Sequence, residues 1–260
     1  MKDSTRVVAV VVAAVAQIVG SPLGTLVSGR SVGDVSDGAR SLVTPAGWAF
    51  SIWGLVFLGS LAWAVYQALP AQRTRSVHRR TGWPLTAAFA GNAVWETVYP
   101  LGGAWQYVAQ VLIFGITAAA AVGFARLQDL DARGEVAGLA RVLPAATAGL
   151  LLGWVTVAPV ANVGNTGVAL GIDPDTTSSQ VWAVVAMVAV AAIGAFVVLA
   201  SRVAAGPFAA AVVWGTVAIA AAGGPLPVTV AALGAAAVVL VSLGVRAAAP
   251  QVSARTLLVG

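Results

Sequence analysis

Apolar residues run along this chain in long stretches separated by short polar connections. A helix that crosses about 30 Å of hydrocarbon needs about 20 mostly apolar residues. Eight stretches reach or approach that length: 7–27, 48–69, 84–101, 105–125, 142–163, 181–201, 207–222 and 226–245. Gly223, Gly224 and Pro225 separate the last two, and a single span over 207–245 would be far too long, so the triplet reads as a turn. The pattern predicts an all-α, polytopic membrane bundle of about eight transmembrane helices. Lys2 and Arg6 precede the first stretch as they would in a signal peptide. That stretch is longer than a signal's apolar region and ends without a small-residue cleavage motif, so it reads as a retained span.

Composition supports the pattern. Hydrophobic residues make up 59% of the 260 residues, and only 9% are charged. A soluble domain carries about 25% charged residues to cover its surface, so the solvent here is largely lipid. With no cysteine there is no disulfide framework and no thiol chemistry. The net charge of +5 does not imply a nucleic-acid partner, because the basic residues encode topology. With the N-terminus cytoplasmic and eight crossings, the inner side holds Lys2, Arg6, Arg73, Arg75, Arg79, Arg80, Arg126, Arg133, Arg141, Arg202, Arg246 and Arg255. The outer side holds Arg30 and Arg40. That split of 12 against 2 uses all 14 basic residues and places both termini in the cytoplasm of a plasma-membrane protein.

The acidic residues then separate into loop charge and one exception. Asp3, Asp129, Asp131 and Glu135 fall on the inner side, Asp34 and Asp37 in the first outer loop, and Asp173 and Asp175 in the third. Glu96 alone lies inside an expected span, one to two turns from the outer surface. A carboxylate there costs about 2–3 kcal/mol or more, so it is expected to face the bundle interior or a wet cavity. Asn92, Glu96 and Tyr99 follow one another at i, i+4 and i+7 and share a helix face, which puts Asn92 within reach of the Glu96 carboxyl. Trp48, Trp53, Trp95, Trp105, Tyr107, Gln110, Asn162 and Asn165 fall at a similar depth. Trp83, Trp105 and Trp182 sit at span ends as interfacial anchors, whereas Trp53, Trp63, Trp95, Trp154 and Trp214 lie deeper and either line a cavity or fill helix interfaces.

The run TPAGWAFSIWGLVFLG at 44–59, followed by Trp63, Tyr66 and Gln67, resembles the signature of the long branch of the TspO/MBR (tryptophan-rich sensory protein) family. Gly153-Trp154-Val155-Thr156-Val157-Ala158 with Ala161-Asn162-Val163 resembles that family's GW-x-x-A…N element, and Asn92-Ala93-Val94-Trp95 its N-x-x-W element. The resemblance implies a five-helix core over 1–165; the hydropathy pattern adds an outer loop at 166–180 and three additional helices with a cytoplasmic tail over 181–260. The resemblance also implies an outer-face loop that closes over a pocket for lipophilic ligands such as porphyrins, sterols or isoprenoids. Carried over residue by residue, Trp48, Phe50, Trp53, Asn92, Trp95, Trp154 and Asn162 line or support that pocket, with Tyr99 beside them. The chain departs from the family pattern in its three extra spans and in the acid at Glu96.

Trp95-Glu96-Thr97-Val98-Tyr99 also resembles a Trp-Glu-x-x-Tyr segment of small integral-membrane terpene cyclases. That resemblance implies an enzyme in which Glu96 protonates a polyprenyl substrate, Asp173 or Asp175 is its partner, and aromatic faces stabilise the carbocation. A transporter is disfavoured, because carriers usually show more than one intramembrane ionisable group. Nucleotide-binding and hydrolase motifs are absent, and one histidine without cysteine gives no metal site, so no cofactor is expected. The expected partners are the bilayer and a lipophilic small molecule, with a homo-oligomer left open. The small residues of the last three spans suit close helix packing.

Overall fold

The computed structural model describes residues 3–250 and 253–259 and contains no strand among them. Its long helices are α1 (Asp3–Ser28), α3 (Ile52–Ala68), α4 (Ser76–Val98), α5 (Trp105–Ala132), α6 (Leu139–Ala169), α7 (Thr177–Ala200), α8 (Ala205–Ala221) and α9 (Leu226–Ala247). Two short helices, α2 (Val32–Gly38) and α10 (Ala254–Val259), lie in the connections and the tail. Among the described residues, six units are long and apolar enough to cross a membrane by themselves: α1, Gly47–Ala68, α5, α6, α7 and α9. The other two stand where the hydropathy pattern expects spans. Arg79 and Arg80 occupy the first turns of α4, and the 17 residues of α8 cover about 26 Å. Both are held from two sides, α4 by α1 and α5, and α8 by α6 and α9. The protein is an integral membrane helical bundle.

Several boundaries differ from the hydropathy reading. α4 begins at Ser76 rather than near 84, and Pro84 sits inside the helix. α5 and α6 extend well beyond their apolar cores, because a helix does not need apolar residues once it leaves the hydrocarbon. α6 continues to Ala169 and α7 starts at Thr177, so the connection expected over 166–180 shrinks to 170–176.

Helices α1, α3, α4, α5 and α6 form one packed group, and α7, α8 and α9 form a second that joins it mainly where α8 lies on α6. In lipid, helix association rests on van der Waals fit and close backbone approach rather than on expulsion of water. Two glycine pairs provide that approach. A Cβ on Gly20 would sit 2.7 Å from the Ala93 carbonyl of α4, and one on Gly24 would collide with the Glu96 carbonyl. On α6, a Cβ on Gly149 would sit 2.9 Å from the Ala204 carbonyl, and one on Gly153 would collide with the Phe208 carbonyl.

Charge is sorted to the two ends of the bundle. At one end Asp3 accepts from Arg6 and Arg79, Asp129 pairs with Arg80 (2.9 Å) and Arg133 (3.1 Å), and Asp131 lies 3.6 Å from both Arg141 and Arg202. Arg246 joins them by donating to the Ser201 carbonyl. At the other end Arg30 donates to the carbonyls of Pro100 and Leu101, and Arg40 pairs with Asp37. Exposed pairs of this kind add little stability. Their value is positional: the sorting follows the arginine count, with Lys2 outside the described residues.

Candidate ligand-binding site

The site begins at the Gly-Trp-Ala-Phe-Ser turn. Gly47–Ser51 winds as a 3-10 helix that leads into α3. α8 holds the turn from outside: the Ala46 N–H donates to the Ala218 carbonyl (3.0 Å), and the Trp214 indole donates to the Ala49 carbonyl (2.9 Å). Trp48 packs edge-on against Trp214 at 4.7 Å and is half-exposed, so it belongs to this clasp and not to the pocket wall expected of it. Phe50 and Trp53 turn inward instead.

Three helices bring their aromatic residues together there. Trp154 of α6 meets Phe50 at 6.0 Å and Trp53 at 6.1 Å, both edge to face, and Trp53 lies 6.4 Å from Trp95 of α4. Trp95 stacks on Tyr99 at 4.7 Å. Edge-to-face and offset-stacked pairs are the arrangements that the ring quadrupole favours. Pro45, Phe50, Trp95, Tyr99, Trp154 and Asn162 are among the residues that line a cavity of about 20 Å³, room for roughly one water molecule. The pocket is therefore nearly filled by its own side chains. It is also polar in an unusual way: the indole N–H groups of Trp95 and Trp154 and the Asn162 side-chain oxygen, all on lining residues, are buried without a partner, as is the indole N–H of Trp53 packed behind them. A buried indole N–H ordinarily finds an acceptor. Trp63 and Trp214, by contrast, are bonded into helix interfaces, Trp63 by donating to His78 Nδ1 at 3.2 Å.

A strap over residues 29–46 covers the cavity. Ser31 and Asp34 form a reciprocal capping box that starts α2. The Ser31 backbone N–H and hydroxyl both donate to the Asp34 carboxylate and hold it below the usual carboxylate range. The strap is latched to α6 at Asn165, a residue without an expected site role. Its amide lies within hydrogen-bond distance of the Ser36, Ser41, Thr44 and Tyr99 hydroxyls. The orientation that satisfies it turns the nitrogen toward Ser41, Thr44 and the Ala39 carbonyl, and the oxygen toward Ser36.

The expected acidic constellation does not assemble. Glu96 is buried, but it packs against Gly20 and Gly24 of α1 with Ser21 beside its carboxyl, and it does not line the aromatic cavity. Its Oε1 has no hydrogen-bond partner. Asn92 does not reach it. Asn92 instead donates to Gln17 of α1 (3.4 Å), and Gln17 donates to Ser60 of α3 (2.5 Å). Asn92 and Glu96 do share a face, the one toward α1, while the 3-10 turn Tyr99–Leu101 carries Tyr99 away toward α6. Asp173 and Asp175 lie exposed on the α6–α7 turn, where the Asp173 carboxylate accepts from the Asp175 N–H; Thr176, not an aspartate, caps α7. Neither aspartate joins Glu96. Gln17 was legible only as a lone amide inside an apolar run, a signal with no partner attached.

The profile of a family described as TSPO-like protein matches residues 5–245. The match upholds the resemblance carried by the motifs at 44–59, 92–95 and 153–163 and extends through α7, α8 and α9. Comparison with curated proteins and with solved structures gives no match.

Proposed function

The chain belongs to the TSPO-like protein family, and we propose that it binds a lipophilic ligand of porphyrin, sterol or isoprenoid type in the aromatic cavity between α3, α4 and α6. One observation carries the reading: Trp95 and Trp154, whose buried indole N–H groups have no partner, line one narrow cavity, and Trp53, whose indole is also unpartnered, packs against both. A ligand with an apolar body and an acceptor oxygen would satisfy them and bury its surface on the rings. Because the cavity now holds about one water, binding requires the strap to lift and the rings to part. The arginine excess supports a strap at the outer face of the plasma membrane with both termini in the cytoplasm.

Porphyrin quenching of tryptophan fluorescence in the full chain tests this. The parent is expected to quench saturably. Trp154→Phe keeps a ring but loses the N–H, and is expected to weaken affinity about tenfold, the worth of one hydrogen bond in a dry site. Trp182→Phe, at the start of α7, should leave affinity unchanged. Absence of saturable quenching in the parent would sink the reading.

The cyclase alternative asks for an acid in the cavity, and Glu96 faces α1. Glu96→Gln preserves shape and is therefore expected to leave porphyrin affinity within about twofold of the parent. Turnover of a polyprenyl substrate by the parent but not by Glu96→Gln would instead restore the enzyme.

A further inference from the structure

A second cavity, of about 330 Å³, opens between the start of α5 and the end of α6. Gln106 and Tyr107 of α5 and Thr166, Ala169 and Leu170 of α6 line it with the Gly103-Ala104 turn, and none of these is charged. One helical turn deeper on each helix stand Gln110 and Asn162, each four residues from a lining residue and so on the same face. They close the space between the helices: Asn162 Nδ2 donates to Gln110 Oε1 at 2.8 Å. Asn162 also lines the aromatic cavity, so this amide pair lies between the inner space and the lining residues of the outer one, one turn below them.

The pair is half satisfied. Gln110 Nε2, Asn162 Oδ1 and Thr166 Oγ1 are all buried without a partner, and Asn162 is only 3% exposed. A polar network left in that condition is costly in a medium of low dielectric. The three groups are one donor, one acceptor and one hydroxyl that does either. A single hydroxyl entering from above can donate to Asn162 Oδ1 and accept from Gln110 Nε2, with Thr166 as a further partner. A carboxylate or ammonium head would find no opposite charge among the lining residues and would remain uncompensated.

We propose that the space between α5 and α6 is a vestibule for the hydroxyl end of a neutral lipophilic alcohol, with Thr166, Gln110 and Asn162 as its hydrogen-bonding floor and the Gln110–Asn162 bond as the partition from the aromatic cavity. The vestibule stands on its own geometry and depends on the proposed ligand pocket only for where it leads.

The test uses the full chain in lipid nanodiscs with a diazirine-bearing farnesol as probe, and farnesol and farnesyl methyl ether as competitors. Light-induced labelling is expected on the peptides containing Gln106-Tyr107 and Thr166–Leu170. Farnesol should compete about tenfold better than the ether, which accepts but cannot donate. Thr166→Val, nearly isosteric, and Gln110→Leu should each cut labelling severalfold. Equal competition by alcohol and ether, label on other segments, or labelling indifferent to both substitutions would overturn the vestibule. Porphyrin quenching in the same samples reports the inner cavity separately. Quenching without this labelling removes the vestibule alone, and labelling without quenching keeps the vestibule and removes the ligand pocket.

Discussion

Gly24→Ala is expected to destabilise the protein by about 1–3 kcal/mol, and Gly24→Leu to abolish the folded state, because the added carbon has nowhere to go. Its nearest neighbours are the Glu96 carbonyl, the Pro100 ring and the Thr97 Cα, mostly rigid α4 backbone and not the far end of a flexible chain. α1 must therefore move off α4. The same interface holds the Gln17–Asn92 contact and the buried Glu96 carboxyl, so separation disturbs polar groups as well as packing. Gly115 on α5 is the matched control: it is exposed in the apolar part of its helix, and a Cβ there meets nothing within 4 Å. Gly115→Ala should be neutral or slightly stabilising, since alanine is the better helix former by about 1 kcal/mol. Thermal unfolding in detergent compares the two directly. Equal melting points for Gly24→Ala and Gly115→Ala would show that the close approach of α1 and α4 carries no energy.

Hydropathy made the number and place of the helices legible, because lipid demands a long apolar segment wherever the chain crosses. The sorting of arginines to the two ends of the bundle is consistent with that count. Helix ends were less legible: the extra turns of α4, α5 and α6 lie outside hydrocarbon, where composition no longer constrains them. The site was half legible. The motifs at 44–59, 92–95 and 153–163 pointed to Phe50, Trp53, Trp95, Trp154 and Asn162, and these do converge. Periodicity placed Asn92 and Glu96 on one face but could not say that this face meets α1 and not the cavity. The glycine spacing at 20 and 24 would have said so, yet among 29 glycines such spacings occur by chance.

The three additional helices acquire a role from the same contacts. α8 lies on Gly149 and Gly153 of α6, the latter adjacent to Trp154, and reaches over to hold the 46–49 turn through Trp214 and Ala218. The aromatic cluster is thus braced from behind on both of its approaches. On the other side of the cavity the strap is tied to α6 chiefly through one side chain, Asn165.

Asn165→Leu is expected to release that strap. The amide is the shared partner of Ser36, Ser41, Thr44 and Tyr99, and leucine of similar size offers none of them a hydrogen bond. Ser41 and Thr44 keep their bonds to each other, so the turn itself survives and detaches as a unit. Leaving buried hydroxyls unpaired costs about 1–3 kcal/mol each. Part is recovered when the strap opens to water, so a net bias of about 2–3 kcal/mol toward the open form is expected, roughly 30- to 150-fold in population. Because the chain has no cysteine, single thiols report this without background. Val43 is the strap's own fully buried residue, whereas Gly38 is exposed on it with nothing within 4 Å of an added Cβ. In the parent, Val43→Cys should react slowly with a water-soluble maleimide and Gly38→Cys quickly. Adding Asn165→Leu should accelerate Val43→Cys by at least tenfold and leave Gly38→Cys unchanged, since labelling through a transient opening follows the open population. Porphyrin association should quicken in parallel, because a closed majority taxes every binding event in proportion to its population. An unchanged Val43→Cys rate would place the barrier to opening in the aromatic stack itself and not in the latch.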